Sequence, residues 1–111
     1  MKIRGNIFST EGIVPGPLEV FEILTTGDAS IERIVSHGHQ TPEGEWYDQE
    51  NDEWVVLLQG SARLAYTDGT EVALKAGDYL LLPARKKHRV NFTSSAPPCI
   101  WLAIHGKLSN I

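Results

Sequence analysis

Turn-forming residues recur along this chain at short intervals, and they limit what it can become. Pro15-Gly16-Pro17, Gly27-Asp28, Pro42-Glu43-Gly44, Gly60, Asp68-Gly69, Ala76-Gly77-Asp78, Pro83 and Pro97-Pro98 cut it into short runs. Proline removes a backbone donor and glycine favours turn conformations, so few elements survive across such positions. The runs between them are rich in Val, Ile, Leu, Tyr and Trp, side chains that suit a pleated surface. Nowhere do apolar residues at i, i+3 and i+4 persist over three turns. Short strands without helical periodicity predict an all-β sandwich or barrel. With 111 residues the chain has room for one domain, spanning 1–111.

The middle of the chain reads as a hairpin. Ala62, Leu64 and Tyr66 alternate with Ser61, Arg63, Ala65 and Thr67. Asp68-Gly69 is expected to supply the positive φ angles of a tight turn, and Val72 and Leu74 continue the apolar side. Trp54 to Leu58 and Tyr79 to Leu82 are apolar on both faces, which predicts strands covered on both sides. Gln40 to Asp52 is the longest polar stretch; it carries Glu43, Glu45, Asp48, Glu50 and Asp52, together with Trp46 and Tyr47. A connection this long is either a functional lid or a loop packed down by its two aromatics.

Charge excludes some functions. Ten Lys and Arg stand against fourteen Asp and Glu, a net charge of −4. Such a chain has no global field for nucleic acid or anionic lipid. No apolar run approaches the ~18 residues of a membrane span. The first residues show no apolar stretch after Lys2 and Arg4, so no signal peptide is expected and a cytoplasmic location is. One cysteine, Cys99, rules out an internal disulfide and a thiolate zinc cluster. It opens the apolar run Ile100 to Ile104 and reads as a small buried hydrophobe.

Four histidines carry the candidate chemistry. His37-Gly38-His39 follows Ile31 to Val35. If that run continues as a strand, the two imidazoles project from one face, ~6.5–7 Å apart at Cα, and can chelate one metal ion. Glu53 adjoins the apolar strand Trp54 to Leu58, which Gly60 ends. His88 opens His88-Arg89-Val90-Asn91-Phe92, where it is expected to share the inward face with Val90 and Phe92. Arg89 and Asn91 then face away.

These residues are similar to the cupin superfamily, small β-barrels whose two motifs surround a metal site. His37-Gly38-His39 matches the histidine pair of the first motif, and Glu53 to Gly60 matches its end, a Glu and a Gly with six residues between them. Gly77 to Pro83 fits the opening of the second motif, and His88 fits its histidine. The matched region runs from residue 37 to 91. Four departures stand out. Ile31 occupies the first motif's Gly position, and thirteen residues separate His39 from Glu53 where three or four are usual. Arg85 replaces a glycine, and Asn91 comes one position early. The long gap makes Glu43 a rival to Glu53; Glu53 is preferred because a strand of the right length follows it.

The resemblance implies an all-β, cupin-type double-stranded β-helix, or jelly-roll barrel. It implies His37, His39, Glu53 and His88 as ligands of a divalent transition metal (Fe, Mn, Ni, Cu or Zn), since sulfur-free N/O donors suit any of these. The implied function is action on a small polar organic molecule in the barrel, of oxygenase, isomerase or lyase type. The alternative is a non-catalytic binding or sensing cupin, with the histidines, Trp46 and Tyr47 lining a pocket. A homodimer is expected from the resemblance and from exposed strand edges. His105 either lines the barrel and shuttles a proton, or is a strand-end histidine near the surface, which is the preferred reading. Arg85-Lys86-Lys87 with Arg89 is the basic cluster. It receives an anion, neutralises the acids of 43–52, or is simply solvated, the last being the expectation. No nucleophile elbow, phosphate loop or dinucleotide fingerprint is present.

Overall fold

A computed structural model describes residues 3–108. Among them lie eight strands and no helix: β1 Val20–Thr25, β2 Ser30–Ser36, β3 Asp52–Gln59, β4 Ser61–Tyr66, β5 Glu71–Lys75, β6 Tyr79–Leu82, β7 His88–Thr93 and β8 Cys99–Gly106. Five form one sheet in the order β1-β2-β8-β3-β6, and three form a second in the order β5-β4-β7. Every pairing is antiparallel. The two sheets enclose a core that includes Val55, Leu57, Leu64, Leu82, Trp101 and Ala103. Leu57 is fully buried, a burial that contributes about 1.5–3 kcal/mol.

The expected hairpin is present, with a different turn. β4 pairs β5 from Ser61↔Lys75 to Ala65↔Glu71. Gly69 takes φ +88°, but Asp68 is not left-handed. Its carboxylate accepts from the Thr70 amide at 2.8 Å, and the Tyr66 amide donates to the Thr70 carbonyl at 2.9 Å. A single left-handed glycine therefore closes a longer loop than a two-residue turn would give.

Two expectations about faces change. β3 alternates between buried and half-buried positions, and Tyr79 on β6 is 67% exposed. These strands pack through their inner face, while their outer face is half-covered. On β7 the register shifts opposite Arg63/Leu64, so Val90 pairs with Leu64 while Phe92 pairs with Arg63. Phe92 consequently leaves the face it was expected to share with His88 and lies under the Arg63 guanidinium, 4.6 Å from ring centroid to Cζ. An extra residue in a strand reverses every later side chain, and the bulge here does so.

The segment before β1 is held by Arg33, a buried cation on β2. Its Nε donates to Glu22 at 2.6 Å, and Nη1 donates to the carbonyls of Ile7, at 3.1 Å, and Ser9. Cys99 opens β8 fully buried, as expected, and its Sγ donates to the Ser61 carbonyl at 3.2 Å. Among the described residues no helix is long and apolar enough to cross a membrane.

Candidate functional site

The inner face of the five-stranded sheet carries charge at one end. Register explains why. Glu53 on β3 lies opposite His105 on β8, and Glu32 on β2 lies opposite Ala103, one diagonal step from His105. Diagonal neighbours across antiparallel strands are within reach of long side chains. His105 Nε2 stands 3.4 Å from Glu32 Oε1, with both side chains mostly covered. Glu53 is 7% exposed. Burial pushes its carboxyl above the ordinary range; the facing His105 and a hydrogen bond from Gln49 pull the other way, and Glu32 adds to the rise.

The opposing wall comes from β4 and β7. His88 is 5% exposed, and burial holds its imidazole below the usual histidine range. Its Nδ1–H donates to the Lys86 carbonyl at 3.3 Å, which leaves Nε2 as the lone-pair nitrogen. Tyr47 stacks on it at 5.3 Å between centroids, nearly parallel. Burial and the nearby Glu19, Glu53, Glu32 and Glu45 raise the phenol of Tyr47. Between the walls is a cavity of about 70 Å³, closed on its apolar side by Val55, Leu64, Leu82 and Val90. That is several times the ~10–15 Å³ one water needs.

The polar stretch 40–52 turns out to be built into the barrel. Tyr47 exchanges two backbone hydrogen bonds with His88, at 2.8 and 3.1 Å, and the Thr41 amide donates to Val90 at 2.9 Å. The stretch thus extends the β7 edge and delivers Tyr47 and Gln49 to the cavity. Trp46 stays 38% exposed, 5.8 Å from the Arg89 guanidinium. Arg85 explains one departure from the family pattern. It occupies φ +65°, a left-handed conformation that glycine would adopt freely. Its amide donates to the Gln49 carbonyl at 2.8 Å, and its guanidinium reaches Asp48 at 3.4 Å and Glu50 at 3.7 Å. The basic run therefore partly neutralises the acidic stretch instead of being merely solvated.

The four expected metal ligands do not converge. Glu53 and His88 line the cavity; His37 and His39 do not. β2 ends at Ser36, and Gly38 at φ +76° turns the chain away, so the His-Gly-His run is not on a strand. His39 has both ring nitrogens engaged. Nδ1 accepts from the His37 amide and Nε2 donates to the Gly16 carbonyl, each at 2.8 Å. It has no lone pair left for a metal in this arrangement. Among the described residues no group of three or more His, Cys, Asp or Glu side chains is placed to hold a metal ion. The residues present do not fit the four-ligand metal centre. Glu43 is exposed in a turn closed by the Glu45 amide on the Pro42 carbonyl, at 3.1 Å; of the two rivals, Glu53 lines the cavity.

Glu19, Glu32 and Gln49 escaped the sequence reading, and His105 was expected nearer the surface. Glu32 had a readable signal: a charge two positions before Ile34 in an apolar strand. Gln49 had none, because its place depends on how the long connection docks.

The family model for the cupin domain matches residues 33–105. No curated protein matches the chain. Among solved structures, a candidate mannose-6-phosphate isomerase from Ralstonia eutropha JMP134 is 37% identical, with TM-score 0.87, covering 95% of this chain and 98% of that one. A cupin superfamily protein from Desulfitobacterium hafniense DCB-2 is 18% identical, with TM-score 0.75, covering 97% and 94%. An RmlC-like cupin with a double-stranded β-helix fold from Methanocaldococcus jannaschii is 19% identical, with TM-score 0.67, covering 83% of each chain.

Proposed function

The chain belongs to the cupin family, and from that premise we propose that it binds a small polar organic molecule in its barrel and moves a proton on it, as an isomerase-type enzyme. One observation carries this reading. Glu53 is buried at 7% exposure, across the strand pair from His105, which itself contacts Glu32. A carboxyl whose proton affinity is raised by burial is suited to take a proton from a carbon and return it. In this reading Glu53 takes a C–H proton next to a carbonyl and delivers it to the adjacent carbon. His105, fixed by Glu32, gives a proton to the carbonyl oxygen as negative charge develops there and takes one back from the hydroxyl of the neighbouring carbon, so carbonyl and hydroxyl exchange places with no net gain or loss of protons. Val55, Leu64 and Leu82 keep water from the reacting atoms. The mannose-6-phosphate isomerase name borne by the Ralstonia eutropha protein supports the reaction class alone.

The test is carbon-bound hydrogen exchange in D₂O, followed by proton NMR, with glyceraldehyde and dihydroxyacetone as probes. Wild-type protein is expected to exchange the C–H next to the carbonyl. Glu53→Gln is expected to slow it by about 100-fold or more, the usual contribution of a positioned base. Exchange that is indifferent to Glu53→Gln overturns the assignment. The cavity's small volume, about 70 Å³ against the ~300–1,000 Å³ of typical ligand pockets, favours a second reading, binding without turnover. Probe-induced stabilisation with no exchange supports that one.

A further inference from the structure

Among the described residues the cavity is lined by three carboxylates, Glu19, Glu32 and Glu53, and by no lysine or arginine. The basic side chains near it are committed elsewhere. Arg33 holds Glu22 and the segment before β1, Arg85 holds Asp48 and Glu50, Arg89 donates to the Thr41 carbonyl at 2.8 Å, and Lys86 lies over the Tyr66 ring. A phosphate or carboxylate entering this space would leave water and meet like charge, with no lysine or arginine to receive it and with His105 already facing Glu32. The same space is lined by three aromatic rings, Phe21, Tyr47 and Trp101. Aromatic faces carry negative quadrupole density and attract cations. A cation that reaches a ring face gains there as well as at the carboxylates, by independent physics.

The carboxylates are also held in place. The Ser36 hydroxyl donates to Glu19 and accepts from the Trp101 indole at 3.2 Å. Glu32 contacts His105 at 3.4 Å. An ionised carboxylate offers about four acceptor sites, so these bonds leave capacity for a donor in the cavity. Phe21, on the edge strand β1, is 51% exposed while lining the same space, which places the cavity's way in beside Glu19.

We propose that the cavity selects a small organic ammonium, a primary amine on a skeleton of a few carbons, and rejects phosphates and carboxylates. The inference rests on the binding reading above and names the charge class of its ligand. A skeleton of that length matches a space of about 70 Å³.

The test uses one carbon skeleton with three head groups: propylamine, propan-1-ol and propanoate. Binding to the full chain is measured by titration calorimetry and by thermal shift at neutral pH. Propylamine is expected to bind about tenfold or more tighter than propan-1-ol, a preference in the range of a desolvated cation–π contact, and propanoate to give no heat. Glu32→Gln and Glu19→Gln are each expected to narrow the preference for the amine, with circular dichroism confirming that the barrel is retained. Leu64→Phe, which narrows the cavity, is expected to abolish amine binding; where that variant fails to fold, Val90→Phe serves the same purpose. Amine binding that survives the narrowed cavity belongs to the acidic surface and overturns the proposal. Propan-1-ol or propanoate binding as tightly as propylamine overturns it and leaves the binding reading standing. Failure of all three probes to bind wild-type protein overturns both.

Discussion

Gly60 offers a direct test of the packing between the two sheets, because a second glycine supplies its control. Gly60 has φ +92° and Gly69 has φ +88°. Alanine at either site meets a similar backbone penalty, about 1–2 kcal/mol for an L-residue in left-handed space. The surroundings differ. A Cβ at Gly69 meets nothing within 4 Å, whereas one at Gly60 falls 2.7 Å from Ser94 Oγ, 2.9 Å from Cys99 Sγ and 3.1 Å from Cys99 Cα. Neither neighbour yields easily. Ser94 Oγ accepts from the Ser61 amide at 3.1 Å and donates to the Pro97 carbonyl at 2.7 Å, and Cys99 is fully buried. Overpacking of a close-packed site costs about 1–3 kcal/mol. Gly60→Ala is therefore expected to cost about 2–5 kcal/mol and Gly69→Ala about 1–2 kcal/mol. For a domain of this length each kcal/mol lowers Tm by roughly 4 °C. Urea unfolding followed by tryptophan fluorescence measures both, since Trp101 is 4% exposed in the native state. Adding Ser94→Ala to Gly60→Ala removes the nearest clash, so it is expected to cost less there than in the wild type. Equal losses for the two glycine variants, or strict additivity with Ser94→Ala, refute the close approach of β8 and the Ser94 turn to the β3–β4 junction.

Three further outcomes are expected. Burial raises Glu53 and lowers His88, and the two make stability change with pH in opposite directions. For Glu53 the native state holds its proton longer, so stability falls as pH rises from the ordinary glutamate range toward the raised value; Glu53→Gln flattens that fall. For His88 the unfolded state takes the proton first, so stability falls as pH drops below the ordinary histidine range, and His88→Asn flattens that loss; urea midpoints across pH check both. Because His39 bonds the His37 amide and the Gly16 carbonyl, His39→Ala is expected to lower Tm by the same amount with and without added Mn²⁺ or Ni²⁺. A metal-induced rise in Tm that His39→Ala abolishes would contradict the described geometry. Arg85→Ala breaks two exposed ion pairs, so it is expected to cost about 0–1 kcal/mol while speeding amide exchange in the stretch 40–52; unchanged exchange would show that its backbone bonds alone hold it.

Much of the barrel was legible because its signals are local. Alternation in Ala62, Leu64 and Tyr66 and the turn at Gly69 lie within a few residues, and β4–β5 formed with those faces. His88 was readable as an inward polar position for the same reason: it begins a strand whose next inward residue, Val90, is apolar. Glu53 adjoins a run that reads as apolar on both faces, so only the family resemblance singled it out. The errors arose where local periodicity is interrupted. A bulge turned Phe92 outward, and Gly38 turned the His-Gly-His run off β2 before it could project two imidazoles from one face.

Residue order by itself determined an all-β chain, the strand-ending glycines and the polar groups that sit at strand starts, since these follow from backbone sterics and side-chain alternation over a few positions. Which polar groups meet was decided by tertiary structure. Glu32 and His105 are seventy-three residues apart in the chain, and they touch because β2 pairs β8 in one register and no other. Register is chosen by burying a whole face at once, a collective property that no short window contains.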